Sequence, residues 1–265
     1  MKLTVPELSL VVLIGASGSG KSTFAREHFA PTEVLSSDFF RGLVADDEND
    51  QSATTAAFET LHFVAAKRLE AGRLTVIDAT NVQQYARKPL IALARAYHAL
   101  PVAIVFNLPE ALCHERNRSR PDRDFGPHVI RNQTRDLRRS LRGLQREGFR
   151  YVHLLDSVEK VTTAEIERQP LWNNRKDEHG PFDIIGDVHG CYDELAELLG
   201  GLGYRLPDGH TALRHPEGRK AVFVGDLVDR GPKVPDVLRL VMDGVEAGSA
   251  LCVIGNHESK LLRAL

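Results

Sequence analysis

The feature that most constrains this chain is a glycine-rich segment placed where a strand ends and a helix begins. Residues Gly15 to Ser22 read GASGSGKS, a full match to the pattern GxxxxGK[ST]. The preceding run Leu10 to Ile14 is continuously apolar, as expected of a buried strand. In that setting successive backbone N–H groups turn inward and form an anion site. The segment therefore predicts a bound nucleoside triphosphate, ATP with Mg²⁺.

Two side chains of this loop have predicted tasks. Lys21 would reach the β- and γ-phosphates, and the Ser22 hydroxyl would bind Mg²⁺. The candidate nucleotide-binding residues are Gly15, Ala16, Ser17, Gly18, Ser19, Gly20, Lys21, Ser22 and Thr23.

Short β-branched runs alternate with segments of helical period through the first two thirds of the chain. One helical stripe combines Phe58, Leu61, Ala65 and Leu69, and a second combines Leu90, Leu93, Ala94 and Tyr97. The further strands predicted here are Glu33 to Leu35, Leu74 to Ile77, Val102 to Phe106 and Tyr151 to Leu155. Strands that are apolar on both faces and alternate with helices predict an α/β fold with a parallel sheet covered by helices on both faces.

A polar segment divides the chain. Pro170 to Pro181 (PLWNNRKDEHGP) is bounded by prolines and has no periodicity, which is typical of a linker. A second strand series follows at Phe182 to Ile185, Ala221 to Val224 and Leu251 to Ile254. We therefore expect a first domain over residues 1–170, a linker over 171–181 and a second α/β domain over 182–265.

Composition limits the cellular compartment and the kinds of partner expected for this chain. The formal net charge is −2, so the whole chain has no basic excess that would indicate nucleic acid. The three cysteines are far apart and lack metal-ligand spacing, which indicates a reducing compartment. No stretch approaches the length of a membrane span. We expect a cytoplasmic protein without membrane association.

A carboxylate follows a predicted strand in Thr75 to Asn81 (TVIDATN). Asp78 is positioned there as a candidate to hold Mg²⁺ opposite the glycine-rich loop. The alternative is an aspartate that only caps or turns the following segment.

A second carboxylate follows the strand that ends at Leu35, in the sequence LSSDFFR. Asp38 would therefore lie at the ligand-binding edge of the sheet, with Arg41 on the same helix face. Such a pair can take a proton from a hydroxyl while the guanidinium holds a neighbouring phosphate. Alternatively, Asp38 caps the helix and Arg41 pairs with it.

The segment from Glu115 to Arg150 is strongly basic, with eleven arginines and no lysine against five acidic residues. Arginine is favoured for bidentate contacts with phosphate. The break RPDRDFGP between two helical patterns indicates the tip of a lid, with Arg116, Arg120 and Arg123 able to close over phosphates. The later arginines would form a groove wall for a polyanion, or alternatively a solvated helix face.

Taken together, the glycine-rich loop, SSDFFR, DATN and the arginine-rich lid resemble the kinase domain of bacterial polynucleotide kinase-phosphatases, which heal RNA ends. The resemblance covers essentially residues 1–170. It implies that Asp38 is the general base on a 5′-hydroxyl, that Arg41 holds the acceptor strand and that the lid arginines contact ATP. It also implies a homodimer and an RNA methyltransferase partner.

Three further motifs follow the strands of the second half. They are GDVHG at 186–190, GDLVDRG at 225–231 and GNHE at 255–258. The candidate metal ligands among them are Asp187, His189, Asp226 and Asn256. This donor set suits two divalent ions such as Mn²⁺, with one carboxylate bridging them. Arg230 could neutralise a phosphate, and His257 could protonate a leaving oxygen.

These motifs resemble the binuclear metallophosphoesterases, including serine/threonine phosphatases, dinucleoside polyphosphate hydrolases and the middle domain of polynucleotide kinase-phosphatases. Members of that group draw further histidine ligands from later strands. We therefore expect this half to be an incomplete, truncated domain that binds metal weakly and is inactive as given.

The sequence thus predicts an ATP-dependent polynucleotide 5′-hydroxyl kinase acting on RNA or DNA ends, with RNA favoured, fused to a partial 3′-end phosphoesterase. One alternative is a small-molecule kinase. Another is a nucleotide-gated binding module. A third gives the principal role to a serine/threonine-type or dinucleoside polyphosphate phosphatase, with the first half as its regulatory nucleotide-binding domain.

Overall fold

The computed structural model describes residues 1–119, 126–206 and 213–264 of the chain. The chain divides into two compact units, Met1–Asn174 and Arg175–Leu265. Within the described residues, none of the helices combines the length and apolarity that crossing a bilayer requires.

The first unit alternates strands and helices. Its strands are β1 (Lys2–Pro6), β2 (Ser9–Gly15), β3 (Val34–Ser36), β4 (Thr75–Asp78), β5 (Leu100–Phe106), β6 (Tyr151–Leu155) and β7 (Glu165–Gln169). Its helices are α1 (Lys21–His28), α2 (Ser37–Ala45), α3 (Thr54–Glu70), α4 (Gln84–Ala96), α5 (Glu110–Arg118), α6 (Pro127–Ser140), α7 (Leu144–Glu147) and α8 (Val158–Thr162).

The centre of this unit is a five-stranded parallel sheet in the order β3-β4-β2-β5-β6. Every residue of the middle strand β2 is buried. Because side chains alternate along a strand, Leu10, Val12 and Ile14 face one apolar cluster, whereas Val11 and Leu13 face the other. Full burial of each such side chain contributes about 1.5–3 kcal/mol. The predicted α/β class, with a parallel sheet between two helical layers, is confirmed.

Element boundaries differ from the sequence predictions by one or two residues, and one helical stripe was assigned wrongly. In α3 the buried face is Ala57, Leu61, Ala65 and Leu69. Phe58 is not in that core and instead lines a cavity at the edge of the sheet. A spacing of four between Ala57 and Leu61 fits the 3.6-residue helical period as well as a spacing of three, so the pattern alone did not separate the two.

A small sheet made by β1 and β7 was missed from the sequence. The two strands pair in parallel from Lys2↔Glu165 to Pro6↔Gln169. Leu3 and Val5 are fully buried on the helix-α1 side of the central sheet. The paired residues are more than 160 positions apart along the chain, so no local sequence pattern could predict this pairing.

The second unit contains a three-stranded parallel sheet in the order β10-β9-β8. Its strands are β8 (Phe182–Ile185), β9 (Lys220–Phe223) and β10 (Ala250–Cys252), and its helices are α9 (Tyr192–Gly201), α10 (Val234–Glu246) and α11 (Asn256–Ala264). Ile185, Phe223 and Ala250 on one sheet face join the apolar cluster with α9 and α10. On the opposite face Ile184 is 74% exposed.

An ion-pair network fixes the start of this sheet. The Arg219 guanidinium donates to both carboxylate oxygens of Asp183, and the Tyr204 hydroxyl donates to Asp183 Oδ2 at 2.8 Å. The Arg219 hydrogen bonds, aided by Tyr204, lower the pKa of Asp183 to about 2 in spite of the opposing effect of desolvation.

We predict that Asp183 makes the stability of the second unit pH-dependent. Because the folded-state pKa lies below the unfolded value of 3.8, its contribution is fully present above about pH 4 and is lost as the pH falls toward 2. Hydrogen exchange of the β8 amides in the full chain should show this loss, and Asp183→Asn should abolish it. Glu197→Gln, an exposed acid on α9, is the matched control. An Asp183→Asn chain with the parental pH dependence would contradict the prediction.

Candidate active sites

The glycine-rich loop at residues 15–22, called the P-loop from here on, connects β2 to α1. The Lys21 ammonium is buried and donates to the carbonyl oxygens of Gly15 at 2.8 Å and Ala16 at 2.9 Å. The Gly15 N–H donates to the carbonyl of Thr80, which follows β4. The loop is therefore anchored to its own backbone and to the neighbouring strand.

Gly18 is a position in the loop that cannot accommodate a side chain. Its φ is +79°, and an added Cβ would lie 2.2 Å from the Cys113 carbonyl oxygen of α5. Helix α5 also places Arg116 beside the loop, since a Cβ on Gly20 would lie 3.4 Å from an Arg116 guanidinium nitrogen. Of the three predicted lid arginines, Arg116 is thus next to the P-loop. Arg120 and Arg123, with the predicted lid tip, lie outside the described residues.

A cavity of about 230 Å³ opens beside the P-loop at the carboxyl edge of the sheet, and we call it the kinase cavity. Its lining includes P-loop residues, the pair predicted to act on the phosphate acceptor and the carboxylate predicted to hold Mg²⁺. These are Ser17, Gly18, Gly20, Lys21, Ser22, Asp38, Arg41 and Asp78. Gly15, Ala16, Ser19 and Thr23 are not in this lining, and Thr23 is exposed.

The Asp38–Arg41 pair stands in the cavity wall on the first turns of α2. Arg41 Nη2 donates to Asp38 Oδ1 at 2.7 Å, and both side chains are mostly buried. The helix cap predicted for Asp38 in the alternative interpretation belongs to Ser36, whose hydroxyl accepts from the Phe39 N–H. The ion pair of that alternative is present, but it lies in the cavity. Burial lowers the pKa of the Arg41 guanidinium, while nearby Glu48 opposes the shift.

Asp78 ends β4 and is 5% exposed. It pairs in register with Leu13 on one side and Ser36 on the other, so it lies between the strand that leads into the P-loop and the strand that leads into α2. The Ser22 hydroxyl and the Asp78 carboxylate share the kinase cavity and are the hard oxygen donors that Mg²⁺ prefers. These residues fit the predicted metal.

Two features of this site were missed from the sequence. Gln133 of α6 accepts a hydrogen bond from the P-loop N–H of Ser17 at 2.8 Å. Arg87, fully buried in α4, donates to the Asn81 carbonyl and forms a two-pronged ion pair with Glu147. This pair holds the loop after β4 in place. The TVIDATN motif predicted the loop itself, but no local sequence pattern indicated that Arg87 pairs with Glu147, 60 residues further along the chain.

In the second unit, the three predicted motifs follow β8, β9 and β10 and meet at one edge of the sheet. His189, Asp226 and His257 each offer one ligand atom within 4.8 Å of the others. His189 Nδ1 bonds the Val228 carbonyl at 2.9 Å, which leaves Nε2 facing Asp187 Oδ2 at 3.8 Å. Such a backbone partner is how metal-binding histidines are oriented.

Asn256 and Asp226 lie in the same cluster. One atom of the Asn256 side-chain amide lies 3.1 and 3.2 Å from the two Asp226 carboxylate oxygens. If that atom is the amide nitrogen, it donates hydrogen bonds to Asp226. If it is the amide oxygen, Asn256 and Asp226 can share a bound cation. Nitrogen and oxygen donors of this kind fit a divalent metal. Three of the predicted ligands, His189, Asp226 and Asn256, thus come together here, whereas Asp187 lies beside His189 but outside the group that His257 joins.

Two further predicted residues of this edge are His257, which belongs to the cluster, and Arg230. His257 Nδ1 contacts Asp229 Oδ2 at 2.6 Å, a partner that the sequence analysis did not single out although it lies within GDLVDRG. Arg230 is exposed. Asp229, Arg230, Asp226 and His189 all have positive φ, between 47° and 70°. Non-glycine residues in this conformation are uncommon and cluster at functional sites.

Glu258 is the buried residue that holds the motif loops together, and sequence reasoning missed its role. Its carboxylate accepts four backbone hydrogen bonds at 2.6–3.1 Å, from Asp226, Leu227, Val228 and Gly255. Burial alone would raise the pKa of Glu258, but the four donors outweigh it and the pKa is lowered. The last motif is thereby tied to the middle one.

A parallel α/β sheet with a GxxxxGK[ST] loop at its carboxyl edge defines a kinase-like P-loop domain. Residues 10–144 match the family model described as an AAA domain, which covers half of the chain, and the chain belongs to this family. Residues 180–264 match the model of the calcineurin-like phosphoesterases.

Among curated proteins, the second half is similar to asymmetrical bis(5′-nucleosyl)-tetraphosphatases PrpE. The protein of Halalkalibacterium halodurans is 56% identical over 82 residues, covering 31% of this chain and 32% of that protein. The Bacillus subtilis protein is 50% identical over 84 residues, covering 32% and 34%. The chain therefore spans about a third of the length of these relatives. Among solved structures, the Pnkp1/Rnl/Hen1 RNA repair complex aligns at a TM-score of 0.45 and 17% identity, over 95% of this chain and 81% of that one.

We predict that Glu258→Gln destabilises the second unit by about 2–3 kcal/mol, because the amide loses the charge and turns an N–H toward backbone donors. The free energy of unfolding of the unit, measured by hydrogen exchange in the full chain, checks this. Glu246→Gln, at the exposed end of α10, makes the same chemical change without these contacts. A Glu258→Gln chain as stable as the Glu246→Gln control would show that the four hydrogen bonds contribute nothing net.

Proposed function

We propose that the first unit is an ATP-dependent polynucleotide 5′-hydroxyl kinase. The observation that carries this proposal is that one cavity contains both the triphosphate loop and the Asp38–Arg41 pair. A triphosphate on the P-loop would present its terminal phosphorus to the side of the cavity where that pair stands. The resemblance to polynucleotide kinase-phosphatases supports a 5′-hydroxyl end as acceptor, with RNA as the favoured strand and with a homodimer and an RNA methyltransferase as proposed partners.

The residues divide the reaction between them. Lys21 and Arg116 neutralise the phosphates of ATP. Asp38 accepts the proton of the 5′-hydroxyl while the hydroxyl oxygen bonds to the γ-phosphorus. The bond between that phosphorus and the β,γ-bridging oxygen breaks, which releases ADP. Mg²⁺, held by Ser22 and Asp78, would supply further charge neutralisation when bound.

Arg41 is suited to the acceptor rather than to ATP alone. One terminal nitrogen binds Asp38, and the other donates to the Glu48 carbonyl. Its Nε is buried and has no hydrogen-bond partner among the described residues. Arg41 nevertheless lines the cavity beside Asp38, and we propose that its guanidinium also faces the acceptor strand when that strand is bound.

We predict that Asp38→Asn lowers kcat for phosphate transfer to a 5′-hydroxyl oligonucleotide by about 10²–10⁴-fold, the usual contribution of a general base. Transfer of label from γ-labelled ATP measures this. Asparagine keeps the size of the side chain and its oxygen can still accept from Arg41, but the mostly buried guanidinium loses its ion-pair partner. Transfer is therefore measured at a temperature at which circular dichroism shows that the variant is folded.

The matched control is Asp46→Asn, which removes an exposed carboxylate at the other end of α2. Undiminished transfer by Asp38→Asn would refute the base assignment. Transfer to a sugar or nucleoside but not to the oligonucleotide would favour a small-molecule kinase. ATP hydrolysis that no acceptor changes would favour a nucleotide-gated binding module.

A second candidate function is favoured by the His189, Asp226 and His257 cluster. We propose that residues 182–265 supply the first three motifs of a metal-dependent phosphoesterase acting on phosphate esters or on dinucleoside polyphosphates, the latter supported by the likeness to the PrpE proteins. His189, Asp226 and Asn256 would hold the metal, which supplies Lewis acidity when bound. Arg230 would bind the phosphate, and His257 would deliver a proton to the leaving oxygen.

Calorimetric titration of the full chain with Mn²⁺ tests this site. We expect uptake of Mn²⁺ that Asp226→Asn abolishes and that Asp243→Asn, on α10, leaves unchanged. Tight uptake of two ions would contradict the expectation of weak binding drawn from the sequence. Parental Mn²⁺ uptake by Asp226→Asn would remove this cluster as the metal site.

A further inference from the structure

A second and larger depression adjoins the first unit's site and plays no part in the proposed chemistry. It measures about 680 Å³ and lies between the start of α4 and the end of α6 with the residues after it. We call it the α6 groove. Its principal lining residues are Gln83, Tyr85, Asp136, Arg139, Ser140 and Arg146.

One face of α6 leads from the kinase cavity into this groove. Val129 and Gln133 line the cavity, and Asp136 and Ser140 line the groove. These positions follow the spacing i, i+4, i+7, i+11, which is a single helix stripe. At 1.5 Å per residue, Gln133 and Ser140 are about 10 Å apart along the helix. The groove therefore begins within a few nucleotides of the kinase cavity.

The opposite wall is continuous in the same way. Ala79 and Thr80 line the kinase cavity, and Val82 and Gln83, just along the same loop, line the groove. Gln83 Nε2 donates to Asp136 Oδ2 at 2.8 Å and so joins the loop to α6. Two neighbouring segments thus pass together from one depression to the other.

The groove presents net positive charge. Arg139 and Arg146 are exposed on it, and a recess that shares Arg146 adds Lys88 and Arg95. Each of its two acids already has a cationic partner, because Glu147 is paired with the buried Arg87 and Asp136 lies 3.9 Å from the Arg135 Nε. Guanidinium groups without competing carboxylates bind phosphodiesters.

An aromatic ring completes the set. Tyr85 lines the groove and is 75% exposed, although tyrosine is typically intermediate in burial. Exposed aromatic rings beside basic side chains are the combination that binds single-stranded nucleic acid, because any base can stack on the ring.

We propose that the α6 groove binds the acceptor strand just beyond its 5′ nucleotide, with Arg139 and Arg146 on phosphates and Tyr85 stacked on a base. This inference rests on the proposed kinase function and adds the path of the strand to it. At about 3.4 Å per stacked nucleotide, the 10 Å of helix corresponds to roughly three nucleotides. The kinase should therefore favour acceptors several nucleotides long over a single nucleotide.

The experiment measures KM and kcat for a nucleoside 3′-phosphate and for a ten-nucleotide 5′-hydroxyl strand. Arg139→Ala/Arg146→Ala should raise KM for the ten-mer about tenfold or more and leave kcat and the KM for the mononucleotide unchanged. The slope of log KM against log salt should fall by about 1–2, because two phosphate contacts are lost. Tyr85→Ala should raise KM for the ten-mer, and Tyr85→Phe should restore it.

Arg26→Ala/Arg73→Ala removes the same charge from exposed positions outside the groove and is the matched control. Parental KM and salt slope for the ten-mer in the Arg139→Ala/Arg146→Ala enzyme would overturn the groove assignment while leaving the kinase intact. An equal loss in the control would reduce the effect to general charge and also overturn it. A parent enzyme that phosphorylates neither acceptor would overturn the proposed function and, with it, this inference.

Discussion

Both units depend on the geometry of parallel strands, whose carboxyl ends must all meet at one edge of a sheet. In the first unit this edge brings together the ends of β2, β3 and β4, which lead into the P-loop, Asp38 and Asp78 respectively. In the second unit it brings together the three motifs after β8, β9 and β10. Residues that lie tens of positions apart in the chain become neighbours because the hydrogen-bond register of the paired strands places the strand ends side by side.

The loops at the two sheet edges are held by buried side chains of opposite charge. In the first unit a buried cation, the Lys21 ammonium, is held by loop carbonyls and keeps the P-loop in shape. In the second a buried anion, the Glu258 carboxylate, collects four backbone N–H groups and ties two motif loops together. Each arrangement satisfies buried backbone groups that would otherwise be costly.

Most of the candidate site could be predicted because its parts are local. GASGSGKS, TVIDATN, SSDFFR and the three later motifs each place a reactive residue directly after an apolar strand, and the structure brings the first set into one cavity and the later set to one edge. The misses are partners from distant segments: Gln133 on the P-loop, Arg87 with Glu147 behind the loop after β4, and the pairing of β1 with β7. In α3 the misplaced residue, Phe58, differs from the core position by one step, which a helical period does not resolve.

The sequence by itself determined the α/β class, the order of the two halves and the candidate residues of each site, because strand burial, helix period and turn chemistry are all encoded over a few consecutive positions. Only the tertiary structure decided the relationships between those segments. It placed Asp38 and Arg41 in the wall of the kinase cavity rather than at a helix cap. It also set Glu258 under the motif loops and extended one face of α6 from the kinase cavity into a basic groove. These relationships arise from long-range packing and from the satisfaction of buried polar groups, which no single window of sequence contains.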